Sequence, residues 1–547
     1  MQRWMMEFPL TLHPILDRAR QLFGRKEIVS GAAGGATTPS TYAEVGERID
    51  RLATVLQRLG VRHGDRVGTL CWNHRPHLEL YFAAPCIGAV LHTINFRLFA
   101  DQIAFIVNDA EDCVLFVDAA VLPVLLPLVE RLPSVRQIVV VGDIPDELGE
   151  AAGRPVLSYE RLLDEAEPCR TYPTLHEDDA AAMCYTSGTT DSPKGVMYSH
   201  RALVLHAIVT SMPDVLALSE RDVVMPVVPM FHVNAWGLPY AATLVGATQV
   251  LPGVAPSPSD LIGLIEAERV TITAGVPTVW LGVLAELDAR PRDVRSLARI
   301  VCGGSAAPRA MMDGFQQRHG VPIWHAWGMT ELSPIGSVSH LKSYLDDAPE
   351  DERGRFLASQ GTPIPLVQMR TIDDAGQDVP WDGRSLGELI VRGPCVTAGY
   401  FNDPHAGERF TEDGWFRTGD VVSIDPEGYF EIADRSKDLV KSGGEWISSI
   451  ALENALVGHP AVAEACVIAV PHPRWGERPL AYVVVRPGHE GVPASELIDF
   501  LRPRFAKWWL PDDVVAVDSL PRTGVGKLDK RALRERFKEH KTPRQSD

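Results

Sequence analysis

The sequence lacks any pair of closely spaced cysteines. Its eight cysteines are scattered along 547 residues, and no two have the Cys-x-x-Cys spacing of a zinc or redox site. Most of them lie in apolar stretches such as AAMCYT and IVCGGS. We therefore predict buried, reduced thiols in a cytoplasmic protein.

Long hydrophobic runs and a secretory leader are also missing. The nearest candidate for a span, AAVLPVLLPLVE at 119–130, is interrupted by prolines and is shorter than the roughly 18 apolar residues a membrane helix needs. The first residues, MQRWMMEFPLTLHPILDR, contain no continuous apolar core and no small-residue cleavage site. These absences predict a cytoplasmic location and no membrane insertion.

An excess of basic residues is absent too, since the net charge is −18 at pH 7. This balance disfavours non-specific binding to nucleic acid or anionic membranes, because both need a basic surface. It does not exclude small anionic ligands, which need only a local cluster of cations and backbone N–H groups. The hydrophobic content of 45% and the charged content of 23% are typical of a soluble enzyme.

Helical and strand patterns alternate through the first part of the chain. Apolar residues recur at helical spacing in TYAEVGERIDRLATVLQRLG, residues 41–60. The segments DRVGTLCW, DCVLFVD and QIVVVGD are short and apolar, as in strands buried on both faces. Helices between buried strands predict βαβ units, so we expect an α/β fold with stacked, mainly parallel sheets in a large N-terminal domain.

The pattern changes near residue 360. Segments such as GELIVRGPCVTAGYF and VVSIDPEGYFEIADR predict hairpins of a small antiparallel β-subdomain. A compact α+β pattern follows, with helices expected at 448–457 and 494–505, two strands and a basic helical tail. We therefore predict a main domain boundary near 434–437 and a small C-terminal α+β domain.

The stretch YTSGTTDSPKG, residues 185–195, is rich in glycine and hydroxyl residues. Such a loop can direct several N–H groups and hydroxyls at one phosphate, and Lys194 adds a cation. It is not a Walker A loop, because Lys194 is followed by Gly195 rather than by serine or threonine. We expect a strand before the loop and a helix after Gly195. Composition alone also allows a flexible surface loop.

The full string TSGTTxxPKG resembles the phosphate loop of the adenylate-forming (ANL) superfamily, which contains acyl-CoA synthetases, luciferases and adenylation domains. Four further motifs of that family follow in the expected order: HAWGMTE at 325–331, GWFRTGD at 414–420, DRSKDLVKSGGEWIS at 434–448 and PRTGVGKLDK at 521–530. The segments VVPMFHVNAWGLPY and KSGGEWISSIALENAL are most similar to the corresponding sequences of bacterial fatty-acyl-CoA synthetases and 3-methylmercaptopropionate–CoA ligases.

The resemblance implies a two-step reaction. A carboxylate and ATP would form acyl-AMP and pyrophosphate, and CoA would then convert acyl-AMP to acyl-CoA and AMP. The co-substrates would be ATP and CoA, with Mg²⁺ as the metal. Because both steps concentrate negative charge, catalysis would rest on positioning and electrostatic stabilisation.

The resemblance also assigns the nucleotide site. The β- and γ-phosphates would be held by Thr186, Ser187, Gly188, Thr189, Thr190 and Lys194. Thr330 would contact the α-phosphate, and Glu331 would carry Mg²⁺, a hard cation that suits a carboxylate. Trp327 would stack on the adenine. Asp420 would accept hydrogen bonds from the ribose hydroxyls, and Arg435 would add a donor.

Lys527 is the main catalytic candidate by resemblance, since its ammonium would neutralise charge at the α-phosphate and the attacking carboxylate. Lys437 matches the hinge, so the domains would be 1–434, a hinge at 435–437 and a mobile lid at 438–547. Rotation about this hinge would exchange Lys527 for the CoA-binding residues of KSGGEW between the two steps. Those residues would be Lys441, Gly443, Gly444, Glu445 and Trp446.

The acid pocket is assigned in the same way. His232 matches a family position beside the substrate carboxyl, and Trp236 matches the gate tryptophan of fatty-acyl-CoA synthetases. The pocket wall would be completed by Val233, Gly303, Gly304 and Ser305. An aspartate that would bind the ammonium of an amino acid is missing, which disfavours an amino-acid-activating enzyme.

Several functions stay open at this point. We favour a ligase for a medium- or long-chain fatty acid, with a ligase for 3-methylmercaptopropionate or another short acid as the alternative. A non-catalytic nucleotide or acyl-adenylate binder is a third possibility, and nothing suggests the oxygen chemistry of a luciferase. By resemblance we also expect a homodimer.

Asp191 departs from the family pattern, which mostly has glycine at this position. Aspartate tolerates the left-handed backbone region comparatively well, so the loop conformation can survive. Its charge is unfavourable near triphosphate, by about 4 kcal/mol per unit-charge pair at 4 Å with an effective dielectric of 20. We therefore expect Asp191 to point away from the phosphates and to weaken ATP binding modestly.

The substitution Asp191→Gly should lower the KM for ATP, because it removes a negative charge from the phosphate loop. Initial rates at varied ATP and saturating acid would measure the change. An unchanged KM would show that Asp191 does not weaken ATP binding.

Overall fold

The computed structural model of the protein describes residues 4–31, 36–144, 149–186, 193–435, 438–443, 445–489, 491–522 and 528–536, without the side chain of Glu445. Seven of the predicted site residues lie outside these ranges: Ser187, Gly188, Thr189, Thr190, Lys437, Gly444 and Lys527. Asp191 lies outside them as well.

The strands are, in chain order, β1 Glu27–Gly31, β2 Thr37–Thr41, β3 Arg66–Leu70, β4 Val90–Thr93, β5 Val114–Asp118, β6 Gln137–Val141, β7 Glu150–Ala151, β8 Arg154–Ser158, β9 Ala180–Tyr185, β10 Gly195–Ser199, β11 Val223–Pro226, β12 Thr248–Leu251, β13 Ile272–Gly275, β14 Arg299–Gly303, β15 Ile323–Gly328, β16 Ile335–Val338, β17 Thr362–Pro363, β18 Gln368–Ile372, β19 Gly387–Arg392, β20 Phe416–Ile424, β21 Phe430–Arg435, β22 Val440–Ser442, β23 Glu445–Ile447, β24 Val462–His472, β25 Gly476–Val485 and β26 Val514–Ala516.

The α-helices are, in chain order, α1 His13–Leu22, α2 Tyr42–Arg58, α3 Arg75–Cys86, α4 Ala100–Asp109, α5 Leu122–Leu125, α6 Tyr159–Asp164, α7 His200–Ser211, α8 Val233–Trp236, α9 Leu238–Val245, α10 Pro258–Ala267, α11 Pro277–Ala289, α12 Arg309–His319, α13 Glu350–Ala358, α14 Ser449–Val457, α15 Ala494–Leu501 and α16 Lys530–Arg536. No helix in these described ranges is both long and apolar enough to cross a bilayer.

Helix α2 shows how the sequence produces these elements. Thr41 accepts a hydrogen bond from the Glu44 N–H at 3.2 Å, and the Glu44 carboxylate accepts one from the Thr41 N–H at 2.7 Å. This reciprocal capping satisfies N–H groups that the first turn leaves free. Ile49 and Leu56 are fully buried on one face, as the predicted helix at 41–60 requires.

Two large sheets form most of the protein. The first has the order β17-β16-β15-β14-β13-β11-β12-β1-β2, and the second has the order β10-β9-β4-β3-β5-β6-β8-β7. Their central strands are parallel, while β2, β7, β10, β16 and β17 add antiparallel edges. The predicted α/β class with stacked sheets is therefore confirmed.

Helices fill the space between the sheets and cover their outer faces. Helices α3, α7 and α9 share one apolar cluster with Val67 of β3 and Val301 of β14, so they lie between the two sheets. Helices α10, α11 and α12 cover the other face of the first sheet. Helix α4 and the neighbouring α5 cover the other face of the second. The central strands β4, β5, β13 and β14 are buried along their whole length, which explains the continuous apolar runs in the sequence.

Two smaller sheets follow in sequence. Strands β18 to β21 form an antiparallel sheet, as the hairpin patterns predicted. Strands β22 to β26 form a mixed sheet, in which only β26 runs parallel to its neighbour β25. This sheet packs with α14 and α15 around an apolar core of its own that contains Leu452, Val467 and Leu497. A small α+β unit thus follows the β-subdomain, as expected.

One local prediction was wrong. The segment after Gly195 is not a helix but strand β10, which pairs with β9 in the register Gly195↔Tyr185. Helix α7 begins only at His200, where Ser199 accepts a hydrogen bond from the Ala202 N–H. The loop therefore joins two antiparallel strands. The predicted helix at 494–505 is also shorter, because α15 ends at Leu501.

Candidate active site

A cavity of about 1240 Å³ opens where the two large sheets, the four-stranded sheet and the C-terminal unit meet. Its lining includes every predicted nucleotide and acid residue that the structure describes. These are Thr186, Lys194, His232, Val233, Trp236, Gly303, Gly304, Ser305, Trp327, Thr330, Glu331, Asp420 and Arg435. Lys441, Gly443 and Trp446 are not among the residues that line the cavity.

The topology explains this convergence. Strands β11, β13, β14 and β15 are parallel neighbours in the first sheet, so their carboxyl ends lie at one edge. His232 follows β11, Gly304 follows β14, and Glu331 follows β15. Ligands of open α/β sheets bind at such an edge. Thr186 follows β9 of the second sheet and lines the same cavity.

Asp420 is a buried carboxylate with two engaged oxygens. The Trp327 indole N–H donates to its Oδ2 at 2.9 Å, and the Arg435 Nε lies 3.1 Å from its Oδ1. The Asp420 carboxylate raises the pKa of Arg435. Trp327 packs edge-on against Phe430 at 5.6 Å. The tryptophan therefore orients Asp420, a role that the sequence motif did not reveal.

Glu331 lies on the cavity wall and is almost fully buried. Its Oε1 accepts a hydrogen bond of 2.6 Å from the Tyr400 hydroxyl, and its carbonyl accepts one of 2.7 Å from the Thr397 N–H. Burial and the nearby Glu331 charge both raise the pKa of Tyr400, so the tyrosine remains a donor. An oxygen ligand of this kind suits Mg²⁺ together with phosphate oxygens.

The acid side of the cavity contains a strained turn, which is the short element α8 and is left-handed rather than a regular α-helix. Val233, Asn234, Ala235 and Trp236 have φ values of 46°, 51°, 49° and 58°, a left-handed turn that L-residues rarely form. Asn234 stabilises it, because its Oδ1 accepts from the Cys184 thiol at 2.7 Å and its amide donates to the Tyr240 hydroxyl at 3.4 Å.

This turn places Trp236 against Gly303. A Cβ added to Gly303 would lie 2.6 Å from the Ala326 carbonyl oxygen and 3.3 Å from Cη2 of Trp236. Only glycine therefore fits between β15 and the indole. Trp236 and Gly303 thus narrow the cavity at the position expected for a gate.

Part of the cavity lining was not predicted. It contains Trp72, Asn73 and Pro229, and the Asn73 amide donates to the carbonyls of Pro226 and Val228 at 2.8 and 2.9 Å. The Arg97 guanidinium lies 4.9 Å from the Trp72 ring centroid and 5.5 Å from that of Phe231. Desolvation lowers the pKa of Arg97, but an arginine still keeps its charge at neutral pH.

The C-terminal unit closes one side of the cavity. Arg522 and Leu528 line it, and they flank the undescribed segment that contains Lys527. Lys530 pairs with Glu453 at 2.8 Å and hydrogen-bonds Ser449, whose N–H donates to Asp434 at 2.9 Å. This buried network connects β21, α14 and α16 and fixes the unit in its present orientation.

The expected CoA loop lies elsewhere in this arrangement. The Gly443 N–H donates to the Trp475 carbonyl at 2.8 Å, and the Lys441 ammonium lies 4.3 Å from the Trp446 ring centroid. These contacts stay within the C-terminal unit. The present orientation therefore places Arg522 and Leu528 at the cavity, and not the described residues of the expected CoA loop.

The His206 ring packs against Gly237, the residue that follows the left-handed turn. Its Nε2 accepts from the Ile335 N–H at 3.2 Å, and a Cβ at Gly237 would lie 2.7 Å from its Nδ1. Burial lowers the pKa of His206 to about 4. The neutral ring is therefore the form that the fold requires.

Stability should fall as the pH is lowered from 6.5 towards 4. In that window the unfolded His206 binds a proton while the folded one does not, which is worth up to about 3 kcal/mol. His206→Gln keeps an acceptor for Ile335 and should show a smaller loss. Thermal unfolding midpoints across this pH range would compare the two proteins. Parallel pH profiles would contradict the prediction.

Comparison with known proteins agrees with this geometry. Residues 16–401 match the AMP-binding enzyme family, and residues 451–527 match the AMP-binding enzyme C-terminal domain. The chain is 51% identical over 542 residues to a long-chain-fatty-acid–CoA ligase of Thermus thermophilus, a match that covers 98% of this chain and 97% of the relative. It is 44% identical over 536 residues to a 3-methylmercaptopropionyl-CoA ligase of Ruegeria lacuscaerulensis, with 98% of each chain covered.

The fold is also shared with solved structures. The crystal structure of an anthranilate CoA ligase in complex with anthranoyl-AMP superimposes with a TM-score of 0.86 at 27% identity, covering 97% of this chain and 99% of that one. The resemblance inferred from the five motifs is confirmed by these matches, and the chain belongs to the AMP-binding enzyme family, the adenylate-forming superfamily.

Proposed function

We propose that the chain is an AMP-forming acyl-CoA ligase that activates a medium- or long-chain aliphatic acid. In the first step, a carboxylate oxygen attacks the α-phosphorus of ATP, which forms acyl-AMP and releases pyrophosphate. In the second, the CoA thiolate attacks the acyl carbon, so that a thioester forms and AMP leaves. The strongest support is the single cavity that contains the described residues for nucleotide and acid together.

The first step depends on residues at the carboxyl ends of the strands. Thr186 and Lys194 would bind the β- and γ-phosphates, together with the undescribed loop residues 187–190. Thr330 would contact the α-phosphate, and Asp420 would accept from the ribose hydroxyls. His232 would bind the substrate carboxylate beside the gate. Lys527 would stabilise the charge that develops between the two reactants.

Glu331 would hold Mg²⁺ through its carboxylate. A buried carboxylate beside the phosphate-binding residues fits a hard cation that completes its coordination with phosphate oxygens. When bound, the ion would neutralise charge on the triphosphate. Glu331 would fix the position of the ion. The hydrogen bond from Tyr400 would orient the Glu331 carboxylate.

The second step would require the C-terminal unit to rotate. We place the domains at 1–434 and 438–547, joined by the hinge 435–437 that contains Lys437. Rotation would break the buried hydrogen bonds of Ser449 with Asp434 and would bring Lys441, Gly443 and Trp446 to the CoA channel. The homodimer expected by resemblance also remains a proposal, and light scattering would test it.

Fatty acids are favoured over shorter acids by one relative and by the apolar lining of the cavity. This lining includes Val233, Trp236, Val276 and Pro277. One relative is named as a long-chain ligase, while another is named as a ligase for a short thioether acid. A 3-methylmercaptopropionate or other short-acid ligase is therefore the second candidate.

Acyl-CoA formation with ATP, Mg²⁺ and CoA should peak at medium or long chains across a panel of C2 to C18 acids, 3-methylmercaptopropionate and benzoate. An optimum at the thioether acid would support the second candidate instead. Lys527→Ala should remove most adenylation while ATP still binds, which assigns the activity to this site. ATP binding without activity on any acid would favour a nucleotide-binding protein.

Arg97 suggests where CoA enters. Its guanidinium lies against two aromatic rings in the wall of the cavity and forms no ion pair among the residues that the structure describes. A positive charge does not contribute to binding an acyl chain, whereas CoA carries a diphosphate and a 3′-phosphate that it could bind. Arg97 lines the same cavity as His232, beside which the thiol must react. We infer that Arg97 binds a phosphate of CoA.

Arg97→Gln should raise the KM for CoA about 3- to 10-fold, the effect of losing one charge-assisted contact. The KM for pantetheine, which has the thiol arm but no phosphate, should not change. Dephospho-CoA would show which phosphate is bound. Equal effects on CoA and pantetheine would exclude a phosphate contact.

A further inference from the structure

One short segment, Tyr400–Asp403, contacts both charged groups of the candidate phosphate site. The Lys194 ammonium lies 2.8 Å from an Asp403 carboxylate oxygen, and it lies 5.0 Å from the centroid of the Tyr400 ring. The hydroxyl of the same tyrosine donates to Glu331. The proposed phosphate cation and the proposed metal carboxylate are therefore both bound by this segment.

The segment is well anchored. The Phe401 N–H donates to the Gly195 carbonyl at 2.8 Å, and the Asn402 amide donates to the Asp109 carbonyl at 3.2 Å. The second oxygen of Asp403 accepts from the His405 N–H at 2.9 Å. Asp403 is thus held in position by backbone contacts that do not depend on Lys194.

The ion pair is partly buried. The side chains of Lys194 and Asp403 are 28% and 17% exposed, and the lysine lowers the pKa of the Asp403 carboxyl. An aromatic face below the ammonium further restricts it. The positive charge of Lys194 in the nucleotide-free protein is consequently balanced by a carboxylate.

We propose that Asp403 is a positioning residue that holds Lys194 in the nucleotide-free protein and competes with the triphosphate for it. ATP binding is then an exchange, in which Lys194 leaves the carboxylate for a phosphate of higher charge. This inference rests on the proposed function only in taking ATP as the ligand. The exchange sets a lower affinity for ATP than a free lysine would give.

Asp403→Asn tests this exchange with little change of shape. The amide oxygen can still accept from the His405 N–H, but the negative charge is lost. We expect the Kd for Mg-ATP to fall about 3- to 10-fold, as for the loss of one partly buried ion pair. Isothermal titration without acid or CoA measures this directly. The KM for CoA should not change.

A matched control is Asp378→Asn, which removes an aspartate paired with Arg370 in the β-subdomain, away from the cavity lining. It should leave ATP binding unchanged. In a Lys194→Ala background, Asp403→Asn should no longer tighten ATP binding, because the group that it releases is absent. Added salt should reduce the difference between wild type and Asp403→Asn.

Weaker ATP binding by Asp403→Asn would overturn the proposal, since it would show that Asp403 stabilises the ATP-bound protein. An effect that persists without Lys194 would also overturn it. Because the readout is binding of ATP alone, a protein that makes no acyl-CoA still gives a decisive result. Failure of the proposed function and failure of this inference are therefore distinguishable.

Discussion

The parallel arrangement of β11, β13, β14 and β15 is the constraint on which the site depends. Residues that follow these strands are separated by up to about a hundred positions in sequence, yet their strands end at one edge of one sheet. The strand interiors are apolar and buried on both faces, so the polar residues are left to the loops at this edge. The strand interiors thus stabilise the fold, while the residues that follow the strands are available for chemistry.

A second feature of the cavity is that its charged side chains have partners within the protein. Arg435 is paired with Asp420, Lys194 with Asp403, and the Glu331 carboxylate accepts from Tyr400. The proposed site for a polyanion and a cation would otherwise contain several unsatisfied charges in a poorly hydrated space. Internal partners keep these side chains ordered before the ligand arrives, so binding replaces one set of contacts by another.

The left-handed turn at residues 233–236 shows how the fold stabilises a strained backbone. A left-handed turn of four non-glycine residues is unfavourable by itself, and Val233 is an especially poor residue for it. The contacts of Asn234 with Cys184 and Tyr240 offset this strain, and the neutral His206 fills the space behind Gly237. Because Cys184 belongs to β9, which leads into the proposed phosphate loop, the turn and the proposed nucleotide site share a structural element.

The sequence by itself determined the fold class, the helix at α2 and the identity of the motif residues, because periodicity and local spacing carry that information. It also located the β-subdomain through its turns. It did not reveal strand β10, since five residues beside a turn pair only in the presence of β9. Arg97, Tyr400 and Asp403 were missed, and so was the bond between Trp327 and Asp420. Those contacts join residues about 70 to 200 positions apart, as Lys194 and Asp403 show, and only the packing of the sheets decides which of them meet.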